Sequence, residues 1–207
     1  MMRIALAGLM LAAVSPALAA QFDCEGAFHK DTTLAEIEAA FGADNVVTGE
    51  VPGPEGTTLV ATTIYPDDPE RSIEVRWWDE ATASQIVGVR LAPADSGPLG
   101  IRAGMSVDEV EALNGEPFEL YGFFWDYGGS ARFNSGALAD LPGECRLLVR
   151  FETRNDDISA ATSAAISGDI LLDSGMAELR EADVAIREVN LDYAVPQELI
   201  DAELAGE

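Results

Sequence analysis

The sequence predicts an α+β fold made of two tandem helix-plus-antiparallel-sheet repeats, with both helices packed on one face of the sheet. Three observations lead there. Two helix starts 73 residues apart are near copies, matched strand segments follow each of them, and a Pro/Gly/Ser connector separates the two copies.

Ahead of the repeats, "MMRIALAGLMLAAVSPALAAQFDCEG" reads as a secretory leader. One basic residue, Arg3, precedes an apolar run from Ile4 to Val14 that is too short to span a bilayer. Ser15-Pro16 breaks it, and Ala17-Leu18-Ala19 has the small-x-small form of a processing site. We expect residues 1–19 to be removed, leaving a periplasmic or secreted chain of 188 residues with no membrane anchor. Cys24 follows "QFD", which lacks the small apolar residues that precede a lipidated cysteine.

The first repeat, 20–92, contains "TLAEIEAAFG" and the second, 100–193, contains "SVDEVEALNG". Thr33 with Glu36, and Ser106 with Glu109, have the capping-box spacing, in which hydroxyl and carboxylate satisfy each other's exposed backbone donors. Leu34, Ile37 and Phe41, like Val107, Val110 and Leu113, recur at helical spacing. Gly42 and Gly115 stop the two helices, because glycine accepts the left-handed backbone beyond a helix end.

Downstream, "IEVRWWDE" from Ile73 matches "LLVRFETR" from Leu147, and "IVGVRL" from Ile86 matches "IREVNL" from Ile186. Their alternation and their β-branched and aromatic content predict strands. The offset grows from 74 to 100 between these pairs, so about 26 extra residues lie in the second copy. This insert, near 153–183, is rich in Ala, Ser and Asp and reads as a polar loop with one short helix. "APADSGPLG" connects the copies, and 194–207 forms an acidic tail.

Within this pattern "GMSVDEVEALNGEP", Gly104 to Pro117, resembles the helix-to-strand motif of the β-lactamase-inhibitor-protein fold. The small outer-membrane lipoprotein of the barrel-assembly machinery shares that fold. The resemblance implies two tandem helix-plus-sheet units. It covers only about fifteen residues, and it carries over no inhibitory loop. The "NG-PF-GF-WDYGG" style is also similar to that of secreted bacterial proteins of unassigned role.

Charge narrows the partners. Without Arg3, 11 of the 12 basic residues remain against 37 acidic ones, a net charge of −26. Such a field repels nucleic acid and anionic lipid, and we expect neither as a partner. Cys24 and Cys145 are the only cysteines, and in an oxidising compartment we expect them to pair.

The residues for catalysis are sparse. His29 is the single histidine and precedes the first helix, where it reads as an exposed or capping residue. No nucleophile elbow, phosphate loop or EF-hand spacing is present, and no cofactor or metal is expected. Glu119 and Asp126 leave open a carboxylate pair acting on a glycan.

The densest aromatic run is "LNGEPFELYGFFWDYGG", Leu113 to Gly129. Read as one strand, it places Phe118, Leu120, Phe124 and Asp126 on one face. Glu119, Tyr121, Phe123, Trp125 and Tyr127 fall on the other. In the neighbouring strands Ile73, Val75 and Trp77, with Leu147, Val149 and Phe151, read as core. Glu74, Arg76, Trp78, Arg90 and Arg150 then point away from it.

Arginine mixed with aromatics is the composition of binding hot spots. The residues expected to bind a protein partner are therefore Arg76, Trp78, Arg90, Tyr121, Trp125, Tyr127 and Arg150. A glycan-binding or glycan-hydrolysing envelope protein is the first alternative, and a structural envelope component the second.

Overall fold

The computed structural model describes residues 19–53 and 56–206, so the expected leader, 1–19, lies almost wholly outside the described residues. The fold is α+β. The first half of the chain runs α1 (Leu34–Phe41), β1 (Val46–Pro52), β2 (Thr58–Ile64), β3 (Ile73–Asp79) and β4 (Ser84–Arg90). The second runs α2 (Val107–Asn114), β5 (Glu119–Tyr121), β6 (Ala131–Arg132) and β7 (Cys145–Thr153). It continues with α3 (Ala160–Ile166), β8 (Leu171–Asp173), α4 (Ala177–Glu181), β9 (Val184–Tyr193) and α5 (Gln197–Gly206).

Six strands form one antiparallel sheet in the order β1-β2-β3-β4-β9-β7. The strands of the two halves join side by side where Arg90 of β4 faces Asn190 of β9. Alternation along these strands separates two faces. One carries Ile73, Val75, Trp77, Val89, Leu147, Val149, Phe151 and Leu191, all buried. Ile37 of α1 and Val107 and Val110 of α2 belong to the same apolar cluster, so both helices cover this face.

Both helix starts form complete capping boxes, Thr33 with Glu36 and Ser106 with Glu109. Backbone N–H bonds at Thr33 and Ser106 hold the two glutamates below the usual carboxylate range. Inside the core, the Trp77 indole N–H donates to Thr62 Oγ1 at 2.9 Å, and Thr62 in turn pairs with Thr48 at 2.8 Å.

Cys24 and Cys145 are disulfide-bonded with Cα atoms 5.8 Å apart. The bond fastens the N-terminal segment to the start of β7. Tyr193 on β9 tightens the same corner by donating its phenol O–H to the Phe28 carbonyl, and burial pushes that phenol's pKa up. His29 behaves locally: its Nδ1 accepts the Asp31 N–H at 3.2 Å.

Two expectations need correction. The run from Phe118 to Tyr127 is not one strand, since β5 ends at Tyr121. Gly122 is pressed against the carbonyls of Gly168 and Ile166, where an added Cβ would lie 2.6 and 2.8 Å away. The Gly122 and Phe123 N–H groups donate to Ile170 and Ile166, so the second half's own insert captures the chain. The backbone then turns through Phe124, at φ 65°, and Trp125 donates its indole N–H back to the Gly122 carbonyl at 2.9 Å.

The insert, in turn, is more than a polar loop with one short helix. It holds α3, β8 and α4, and β8 pairs with β5 in a separate three-stranded sheet, β6-β5-β8. Ile166, Leu172 and Leu179 from the insert are buried in the same apolar cluster as Phe118 and Leu120. Those few apolar positions, spread among Ala, Ser and Asp, are what fold it. The acidic tail likewise contains a helix, α5.

Candidate binding face

The face of the six-stranded sheet turned away from the helices carries the candidate site. Register places Glu74, Arg90, Asn190 and Leu148 in one row across β3, β4, β9 and β7. The next row holds Arg76, Gly88, Asp192 and Arg146, and Arg150 faces Glu188 on the other side. A groove of about 650 Å³ runs over the first row and over Arg76, Arg150 and Glu188. The end of the β1–β2 hairpin, with Pro52 and Leu59, forms one wall. The turn after β5, with Asp126, Tyr127 and Ser130, forms the other.

The seven residues expected from sequence divide. Arg76, Arg90, Tyr127 and Arg150 all line the groove, whereas Trp78, Tyr121 and Trp125 do not. Trp78 is half-buried outside it. Tyr121 and Trp125 are half-buried and meet edge-on at 6.0 Å, and Trp125 meets Tyr127 at 5.5 Å. Two of the three rings thus back the third, and Tyr127, 63% exposed, is the one presented.

Each arginine is held differently. Arg90 pairs with Glu74 at 2.7 Å. Arg150 donates Nε to the Gly128 carbonyl at 3.0 Å and an Nη to the Asp126 carbonyl, so it fixes the aromatic turn to β7. Arg76 lies flat on Gly88: a Cβ there would stand 2.7 Å from Nη2 and 3.2 Å from Cζ. Its Nε is buried without an acceptor.

Sequence reading missed Pro52, Leu59, Glu188 and Asn190 as groove residues. The signal for the last two was present, because Glu188 and Asn190 alternate with Val189 as Arg90 does with Val89. The hairpin wall had no comparable signal. Of the two carboxylates considered for glycan chemistry, Asp126 lines the groove, while Glu119 lies on β5 outside it and accepts from Asn134 Nδ2 at 2.9 Å.

The disulfide is present, and no described helix is long and apolar enough to cross a membrane. No family model, curated protein or solved structure matches the chain.

Proposed function

We propose that the chain is an exported binding module without catalytic function that receives a protein partner on the open face of its larger sheet. The observation that carries this reading is the groove itself. It is concave, has apolar side chains at Leu59, Leu148 and Tyr127, and concentrates three arginines in a chain with 12 basic and 37 acidic residues. Mixed aromatic, aliphatic and arginine surface of this kind suits an interface centre. The side-by-side joining of the two halves supports the two-unit, inhibitor-like architecture that the "GMSVDEVEALNGEP" motif suggests. The leader expected at residues 1–19 and the disulfide support export.

A photo-crosslinking residue tests the reading when placed at Leu148, 46% exposed in the groove, and separately at Leu171, 45% exposed outside it. In cells that make the protein, a discrete adduct is expected from Leu148 alone. Equal adducts from both positions, or none from Leu148, would refute it.

A second reading rests on Asp126 beside the exposed Tyr127 ring, an arrangement on which a sugar could stack. It predicts binding or turnover of cell-wall fragments, with turnover lost in Asp126→Asn.

A further inference from the structure

We propose that the groove contains a subsite for a single carboxylate, with Arg76 as its anchor, and that a glutamate or aspartate side chain of the protein partner fills it. The inference rests on the partner reading above and gives it a chemistry.

Arg76 is the groove arginine that no described residue answers. Among the described residues its guanidinium makes no hydrogen bond and no ion pair, and its Nε is buried. The shortage is not one of acids, since 37 carboxylates are available. The carboxylates sharing the groove are placed elsewhere: Glu74 is taken by Arg90 at 2.7 Å, and Glu188 accepts from Asn190 Nδ2 at 2.8 Å. Asp126, the third, is exposed on the wall. The second groove arginine without a carboxylate, Arg150, already donates to two backbone carbonyls.

The absence of a side chain at Gly88 lets the Arg76 guanidinium lie against the sheet instead of standing into solvent. A planar fork held on the floor of a concave site is the geometry that recognises carboxylates.

The surrounding charge selects the kind of anion. Glu74, Glu188 and Asp126 formally balance Arg76, Arg90 and Arg150, so the groove is close to neutral within a strongly negative molecule. A monoanion can meet Arg76 there, whereas a phosphate dianion would bring twice the charge into a groove that also holds three carboxylates. Leu59, Leu148 and Tyr127 are placed to pack the apolar neighbours of that carboxylate on the partner. Long-range repulsion between the acidic chain and an acidic group is screened beyond about 8 Å at physiological salt. Capture should therefore strengthen as salt rises from low ionic strength.

The test is a titration of protein labelled with ¹⁵N at arginine, following the Nε–H resonances. The probe is N-acetyl-glutamic acid α-amide, with N-acetyl-glutamine α-amide as its neutral isostere and inorganic phosphate as the dianion. The expected result is a saturable shift of the Arg76 resonance at roughly millimolar carboxylate. The isostere should give no shift and phosphate a weaker one. Arg132, exposed on β6, is the internal control and should move only linearly. Gly88→Ala, which displaces the guanidinium, should weaken binding at least tenfold, and Arg76→Gln should abolish it.

No saturable shift, a shift shared with Arg132, or tighter binding of phosphate would each overturn the proposal. Repeating the Leu148 crosslink in Arg76→Gln separates the two readings. An adduct that persists undiminished overturns the subsite and leaves the partner. Carboxylate binding with no adduct in the wild-type chain supports the subsite and removes the partner.

Discussion

Removing the Cys24–Cys145 bond should lower the stability of this protein by several kcal/mol, about 5 by loop entropy. The bond closes a loop of 121 residues. In the chain-entropy account, a loop of that length restricts the unfolded state by about 16 cal/mol/K, or ~5 kcal/mol at 25 °C. The native state should change little. Both cysteines are buried, and the corner has other ties: the Tyr193 phenol reaches the Phe28 carbonyl, and the Phe22 N–H donates to Ser96 at 2.8 Å.

The measurement is denaturant unfolding of wild type against a Cys24→Ala, Cys145→Ala double variant, with a thermal melt beside it. We expect a loss of ~4–5 kcal/mol, equivalent to a fall of roughly 10–20 °C in Tm for a chain of this size. Near-native circular dichroism at low temperature should be retained. A loss under ~1.5 kcal/mol would mean that the segment around Cys24 unfolds separately from the sheet. The loop-entropy reasoning would then fail.

Three further perturbations probe other parts of the fold. Trp77→Phe removes the indole N–H that meets Thr62 inside the core; a destabilisation of about 1–3 kcal/mol is expected by denaturant unfolding, and a change below ~0.5 would show that Thr48 alone satisfies Thr62. Tyr193→Phe strips the Phe28 carbonyl of its buried donor, for an expected cost of about 1–3 kcal/mol, and a neutral result would mean that water replaces the phenol. Burial raises the Asp95 pKa above its usual 3.8, with the Ala20 N–H bond and Arg71 opposing less strongly. The folded state therefore binds that proton more tightly than the unfolded one, so Asp95's contribution is greatest below pH 3.8 and is lost as pH rises through the folded value. Asp95→Asn should accordingly gain on wild type as pH rises through that window, and a difference independent of pH would contradict the shift.

Much of this architecture was legible because it rests on local signals. Thr33 with Glu36 and Ser106 with Glu109 bond within one turn, so their spacing alone announces the two helices. β3 and β7 alternate between buried and more exposed positions because one face is covered and the other open, and that alternation, with Arg90 set between Val89 and Leu91, already places Arg76, Arg90 and Arg150 on one face in the sequence. The failures have long-range causes. Nothing in "ELYGFFWDY" distinguishes a continuing strand from one that stops at Tyr121. The stop is imposed by the carbonyls of Ile166 and Gly168, more than forty residues away. The insert gives little signal because its helices have seven and five residues, and the N-cap of α4, Met176, makes no side-chain cap bond. β1, "VVTGEVP", gave a weak signal because an edge strand with both faces largely exposed has no apolar alternation to display.

The misread elements are also the ones that make the groove. In the first half, all four strands stay in the large sheet. In the second, β5 and β6 pair with the insert's β8 in the smaller sheet, so among the described residues no further full strand lies beyond β7. Its free edge instead meets the chain at Gly129 and Ser130, through the Phe151 N–H to the Gly129 carbonyl at 2.8 Å and the Ser130–Arg150 bridge. That contact brings Asp126 and Tyr127 over the open face, opposite Pro52 and Leu59 from the hairpin. Had the second half copied the first, a strand would occupy that edge and the open face would lack its aromatic wall. The insert's buried Ile166, Leu172 and Leu179 therefore bear on binding as well as stability, because they hold in place the strand that releases the turn. Each half supplies one wall of the groove, and the floor between them crosses the β4–β9 seam where the halves join.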